Sequence, residues 1–193
     1  MLHTVVALVE NRPGVLNRVA SLFRRRGFNI ESLAVGTTHE DGISRMTIIV
    51  DGHEGIVDQV EKQLMKLIDV IKVEDLTNAA AVNRELALIK VSCTATNQRE
   101  ILDIAGTFHA QTVDLSSNSV ILQAVAQRDR VDELLENLRP YGVLELMRTG
   151  RVSMRRGLQV TAYADGNGET AEMHRFHLKA GRLPEGELPY VSD

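Results

Sequence analysis

Glu10-Asn11-Arg12-Pro13-Gly14-Val15-Leu16 joins an apolar strand to an amphipathic helix, and how this junction is read decides the layout of the chain. Upstream, Val5, Val6, Ala7, Leu8 and Val9 form a short run of strand length, rich in β-branched residues. Downstream, Val15, Leu16, Val19, Leu22 and Phe23 recur at helical spacing, which puts them on one stripe facing a core. Between the two, Pro13 suits the first turn of a helix, where its missing N–H costs nothing, and Gly14 lets another group approach the backbone closely. The unpaired amides of such a helix start favour an anion, so the stretch reads as a ligand seat rather than a catalytic centre.

Working outward, the helix is expected to close at Arg24-Arg25-Arg26-Gly27, with basic residues at the negative dipole end and a left-handed glycine cap. Residues 29–35 alternate as a half-buried strand with a local irregularity, residues 37–42 read as a polar hairpin turn, and residues 45–50 as a third strand. Val57, Val60, Leu64, Leu67 and Ile68 mark a helix within residues 54–68, and residues 70–73 supply a fourth strand. The order β-α-β-β-α-β over residues 1–76 is the ferredoxin-like arrangement. Residues 77–83, small and aperiodic, read as a linker. The same order then returns over residues 84–157: a strand at 86–95, a helix stripe at Ile101, Ile104, Ala105 and Phe108, and a short strand at 112–115. A turn at 116–119, a strand at 120–126, a helix stripe at Val131, Leu134, Leu135 and Leu138, and an edge strand at 143–147 complete it. The fold class expected is therefore α+β, with two ferredoxin-like units. Residues 158–193 form a polar tail without sustained period, expected to be mobile, in which residues 172–178 could make a short helix.

Composition narrows the function. Hydrophobic residues make up 44% of the 193, enough for a core, but aromatics are only 4% with no Trp, so packing rests on aliphatic side chains. A formal net charge of -4 argues against general nucleic-acid binding. A single cysteine, Cys93, excludes an intramolecular disulfide and fits a reducing compartment. No run approaches the roughly 20 apolar residues of a membrane span. With no basic segment followed by a long apolar one at the start, the expected location is the cytoplasm.

Asn11 and Asn29 are the first candidate ligand residues. In a ferredoxin-like unit these positions can come near the same helix face, and an Asn side chain offers both acceptor and donor. It could therefore hold an ammonium group while helix amides hold a carboxylate, a pairing that suits a zwitterionic amino acid. The plainer reading makes Asn11 a turn residue and Asn29 a strand-start residue, and residue chemistry alone favours it. The arginines at 24–26 read as a solvated helix end. His174 and His177 have helix-face spacing but no surrounding cluster, so a metal site is not expected. Cys93 lies in an apolar strand beside Ser92 and Thr94 and reads as an inert buried thiol. A nucleophile elbow and a phosphate loop are both absent. This lack of catalytic groups points to binding or regulation.

Several runs resemble a known family, the small regulatory subunits of acetolactate synthase (acetohydroxyacid synthase), which are built on an N-terminal ACT domain. They are residues 10–16, Phe23-Arg24-Arg25-Arg26-Gly27-Phe28-Asn29-Ile30-Glu31-Ser32-Leu33, Ser44-Arg45-Met46-Thr47 and Gln63-Leu64-Met65-Lys66-Leu67. Weaker likeness runs through Arg84-Glu85-Leu86 and Leu88-Ile89-Lys90-Val91 to Gly150-Arg151-Val152, so it covers about the first 157 residues. The resemblance implies a homodimer that binds valine at the ACT interface and conveys feedback inhibition to a separate catalytic subunit. It implies effector contacts at Asn11, Gly14, Val15, Leu16, Asn29 and Ile30. Asn11 stands where many other ACT domains carry Asp, a departure normal for this branch. No catalytic residue, cofactor or metal is implied in this chain itself. Thiamine diphosphate, a divalent metal and FAD are expected in the catalytic partner, which condenses pyruvate with pyruvate or 2-ketobutyrate.

The expectation is a non-catalytic regulatory subunit in branched-chain amino acid biosynthesis that stabilises the active catalytic subunit and inhibits it when valine is bound. One rival is a free-standing ACT sensor acting on another enzyme or a transcription factor, though net charge and the lack of a helix-turn-helix disfavour direct DNA control. Another is an enzyme on the ferredoxin-like fold, disfavoured by the missing acid-base or metal cluster.

Overall fold

The computed structural model describes residues 1–53, 55–158 and 161. Strand β1 (Leu2–Glu10) leads into helix α1 (Val15–Arg26), followed by β2 (Asn29–Thr37), β3 (Ile43–Asp51), α2 (Ile56–Leu64) and β4 (Val70–Asp75). The strands form an antiparallel sheet in the order β2-β3-β1-β4. A second run follows: β5 (Ala81–Ser92), α3 (Gln98–Thr107), β6 (Gln111–Leu115), β7 (Ser119–Ala126), α4 (Arg128–Leu138), a 3₁₀ turn (Arg139–Tyr141) and β8 (Val143–Arg148). Its sheet has the order β6-β7-β5-β8. The expected α+β architecture of two β-α-β-β-α-β units is present.

Local chemistry accounts for the elements. Val15, Val19, Leu22 and Phe23 are the buried residues of α1 and pack on Val5, Ala7 and Val9 of β1. Gly27 ends the helix at φ 69°, its N–H bonded to Arg24 O, while the N–H of Phe28 bonds to Phe23 O at 3.0 Å. A β-carbon would strain that left-handed position, so the cap is glycine. The irregularity expected in β2 is a register shift between Ile30 and Ser32, which leaves Glu31 without a cross-strand partner. In the second unit, Ile101, Ala105, Val131, Leu134 and Leu138 pack on the β5 and β7 residues Ile89, Val91, Val120 and Leu122.

Four details differ from the expectations. Pro13 lies in the turn before the helix, because Gly14 at φ 86° is the N-cap and Val15 the first helical residue. Helix α2 stops at Leu64, and residues 65–68 turn into β4. The 12-residue β5 begins at Ala81, inside the stretch expected as linker, and ends at Ser92 rather than at residue 95. Finally, an unexpected strand β9 (Val152–Arg155) pairs with Ala81–Arg84 at the front of β5. The expected helix at 172–178, with His174 and His177, lies outside the described residues.

The β5–β9 ribbon explains why every residue of β1 from His3 to Glu10 is buried. Val5, Ala7 and Val9 face the helices, whereas Thr4, Val6 and Leu8 face the other way, as do their cross-strand neighbours Ile49, Thr47 and Arg45. On that second face Arg45 Nη2 donates to Ser153 O at 2.8 Å, Arg151 Nη1 to Thr4 Oγ1 at 3.1 Å and Arg155 Nε to Glu74 Oε2 at 3.4 Å. An uninterrupted apolar run is what a strand covered on both faces needs.

Candidate functional site

The junction 10–16 is held from three sides. Glu10 N donates to Asp69 O at 2.9 Å, Asn11 N to Gly42 O at 2.7 Å, and the Arg12 guanidinium contacts Glu10 Oε2 at 3.0 Å. Glu10 is buried, while Asn11, Pro13 and Gly14 are exposed. The cap has no side-chain hydrogen bond and no acidic residue in its first turn, so the positive end of the helix faces outward uncompensated. The amide of Val15 points at Arg12 O over a long 3.4 Å, and that of Leu16 lies in the first turn, where no intrahelical carbonyl reaches it. Val15 is buried in the core, whereas the side chain of Leu16 is 47% exposed and available to an apolar group.

Arg18, a residue that sequence reasoning passed over, stands beside this end with its charge matched by Asp69. Its Nη2 would lie 3.9 Å from a Cβ on Gly14, and its Nη1 is ion-paired to the buried carboxylate of Asp69. The signal was legible: a basic residue four positions beyond the cap glycine stands above it on the helix.

Asn29 and Ile30 are elsewhere in the chain. Asn29 is exposed at the start of β2, opposite Asp51, which in turn faces Leu2, whereas Asn11 lies beyond the other end of β1, past the Glu10–Ile43 pair. With nine residues in β1 and roughly 3.3 Å per residue, the two asparagines are about 30 Å apart. The structure therefore brings Asn11, Gly14, Val15 and Leu16 together and separates them, within one chain, from Asn29 and Ile30. The expectation that the two asparagines come near the same helix face is corrected for a single chain, because β2 runs antiparallel to β3 and starts at the far end of the sheet.

Other candidates recede. Cys93 is 1% exposed, with its thiol 3.9 Å from Thr94 O. Among the described residues no group of three or more His, Cys, Asp or Glu side chains could hold a metal ion, and no helix is long and apolar enough to cross a membrane.

Comparison with known proteins places this geometry in context. Residues 6–72 match the family model of the acetohydroxyacid synthase small-subunit-like ACT domain, and residues 84–157 match that of the small subunit of acetolactate synthase. The chain is 52% identical to a probable acetolactate synthase small subunit of Archaeoglobus fulgidus over 157 residues, covering 81% of this chain and 98% of that one. It is 47% identical to the acetolactate synthase small subunit of Mycolicibacterium smegmatis over 155 residues, 80% and 92% of the two chains. The crystal structure of the acetolactate synthase small subunit from Thermotoga maritima superposes with a TM-score of 0.76 at 39% identity, covering 81% of this chain and 98% of that one. The two family models cover both sheets, and the chain belongs to the acetolactate synthase small-subunit family.

Proposed function

We propose that this chain is the regulatory subunit of an acetolactate synthase, working as a homodimer that binds valine at the interface of its N-terminal domains and passes feedback inhibition to a catalytic large subunit. It carries no catalytic site of its own in this reading. Thiamine diphosphate, magnesium and FAD reside in the partner, and the assembly works in the cytoplasm on the pathway to valine, leucine and isoleucine.

The observation that carries the ligand-site proposal is the separation of Asn11 from Asn29. Strand β2 is an edge of the first sheet, with its outer backbone groups unpaired by any described strand. Pairing two β2 edges antiparallel about a two-fold axis sets the Asn29 end of one chain beside the Thr37 end of the other. That end carries Gly42 and, bonded to it, Asn11. A two-fold dimer thus brings Asn11, Gly14 and Leu16 of one subunit toward Asn29 and Ile30 of its mate, and produces two equal sites. The outward helix amides suit the ligand carboxylate, the asparagine carbonyls its ammonium, and the exposed Leu16 its branched side chain. A ligand shared by two subunits can favour one dimer arrangement, and a coupling of about 1 to 3 kcal/mol suffices for feedback control.

Co-purification with the catalytic subunit, followed by pyruvate-condensation assays with and without this chain and valine, tests the reading. Higher activity and valine sensitivity are expected only when both subunits are present. Equal activity and equal valine response in both cases would overturn it.

A further inference from the structure

Where the two halves of Met1–Thr161 meet, on the face of the first sheet away from its helices, the chain encloses a polar cleft of about 270 Å³. Three guanidinium groups, of Arg128, Arg148 and Arg151, and two carboxylates, of Glu31 and Glu85, lie on its walls. Most of this charge is already matched. Arg148 is ion-paired to Glu85, itself 4% exposed, and donates to Asp132 Oδ1 at 2.6 Å. Arg128 reaches Glu31 Oε1 at 3.3 Å and Asp132 Oδ2 at 3.8 Å.

Arg151 is different. It donates one hydrogen bond, from Nη1 to Thr4 Oγ1 at 3.1 Å, and no ion pair joins it to a carboxylate among the described residues. A guanidinium has five donors, and Arg151, which lines the cleft, spends one of them on Thr4. Beside it, the Ser32 hydroxyl is buried and has no hydrogen-bond partner. A buried polar group left so is uncommon and costs about 1 to 3 kcal/mol unless something meets it. Gly150 completes the wall. At φ 79° it takes a conformation that side chains avoid, and a Cβ there would come within 3.1 Å of both Ser32 Cβ and Ser32 Oγ.

We infer that this cleft is a binding site for a small hydrophilic oxyanion, a carboxylate or a phosphate, held by the Arg151 fork and the Ser32 hydroxyl. Glu31, Glu85 and Asp132 engage Arg128 and Arg148, which leaves Arg151 as the guanidinium of the wall that no carboxylate among the described residues pairs. Paired N–H donors in a plane match two oxygens of such an anion. Ile49 is the single apolar residue on the wall, and the five charged side chains around it favour a charged ligand over a plain aliphatic one. The site is therefore separate from the valine seat proposed above, and it stands or falls independently of that reading.

Calorimetric titration of the full chain tests it, with inorganic phosphate and with acetate as probes and chloride at equal ionic strength as the reference. Saturable binding of at least one probe above the chloride reference is expected, and the probe that binds tells phosphate from carboxylate recognition. Arg151→Lys keeps the charge but loses the fork, and should weaken binding by about tenfold. Ser32→Ala removes only the hydroxyl and should weaken it about threefold or more without loss of folding. Gly14→Asp should leave it unchanged. No saturable binding to the parent chain, or undiminished binding in both Arg151→Lys and Ser32→Ala, would overturn the inference.

Discussion

Gly14 stands at φ 86°, where side chains other than those of Asn and Asp are strongly strained, and its N–H end of the helix is open. Replacing it tests the proposed seat. Gly14→Asp places a carboxylate where the ligand's own would lie, and valine affinity measured by calorimetry should fall by about tenfold or more. Gly14→Asn, which tolerates the left-handed conformation and adds no charge, separates backbone strain from charge and should lose less. If Gly14→Asp binds valine as tightly as the parent, the seat is misplaced. A purely structural residue behaves otherwise. Phe23 is 1% exposed and meets Phe28 edge-on at 5.8 Å between ring centroids. In a chain with so few aromatics, Phe23→Ala should cost about 3–5 kcal/mol in denaturant unfolding. At this scale residue identity conveyed most of the site: the cap glycine, the helix stripe and Arg18 all follow from spacing. Which asparagine faces which did not follow, because that depends on strand direction across the sheet.

Element by element, β9 has the longest reach. Its four residues pair with the front of β5, and Ser153 and Arg155 bond Arg45 and Glu74 on the face of the first sheet where Val6, Leu8 and Ile49 are buried. A chain ending at Gly150 should expose that face, bind a hydrophobic dye and melt lower than one ending at Thr161, by roughly 2–4 °C for each kcal/mol lost. Equal melting temperatures would show that the ribbon adds nothing to stability. The ribbon's ionic anchor has a pH signature. Burial acts to raise the Glu74 carboxyl, but the Thr161 hydroxyl, Lys72 and Arg155 outweigh it and hold the group below its ordinary 4.5. A carboxyl with a lowered folded value contributes stability above its unfolded pKa and loses it as pH falls through the folded one. The melting difference between the parent and Glu74→Gln should therefore be constant above about pH 5 and shrink as pH drops below 4.5. A difference that does not change across that window would assign Glu74 no such role. Neither β9 nor the start of β5 was legible in sequence: Ala79-Ala80-Ala81 looks like a spacer, and the partner strand lies some seventy residues on.

For the whole molecule, the proposed feedback needs the two halves to be mechanically linked. Glu31 follows Asn29 and Ile30 directly and bonds to Arg128 at the start of α4. From there the ion pairs run through Asp132 and Arg148 to Glu85 in β5. The first of these bonds joins side chains that are each 38% exposed, so its stability contribution is small, on the order of 0–1 kcal/mol. Arg128→Met should then leave the melting temperature and the valine affinity of the free chain nearly unchanged. In the assembled enzyme it should weaken valine inhibition by up to about fivefold, the same 1 kcal/mol expressed as coupling. Unchanged inhibition in the holoenzyme would place the coupling elsewhere.

The sequence by itself determined the α+β class, the order of both β-α-β-β-α-β units, the left-handed cap at Gly27 and a helix start with outward amides. These depend on near neighbours, where hydrophobic period and glycine conformation leave little choice. Tertiary structure alone decided that β1 is covered on both faces, that the front of β5 pairs with β9, and that Arg151 and Ser32 share a cleft. It also set Asn11 and Asn29 at opposite ends of one sheet. Each of these joins residues far apart in the chain through strand direction and register, which no local pattern encodes. The junction 10–16 read as an anion seat in sequence, and the family resemblance set that seat at a dimer interface; the fold adds that Asn11 and Asn29 of one chain are too far apart to share a ligand.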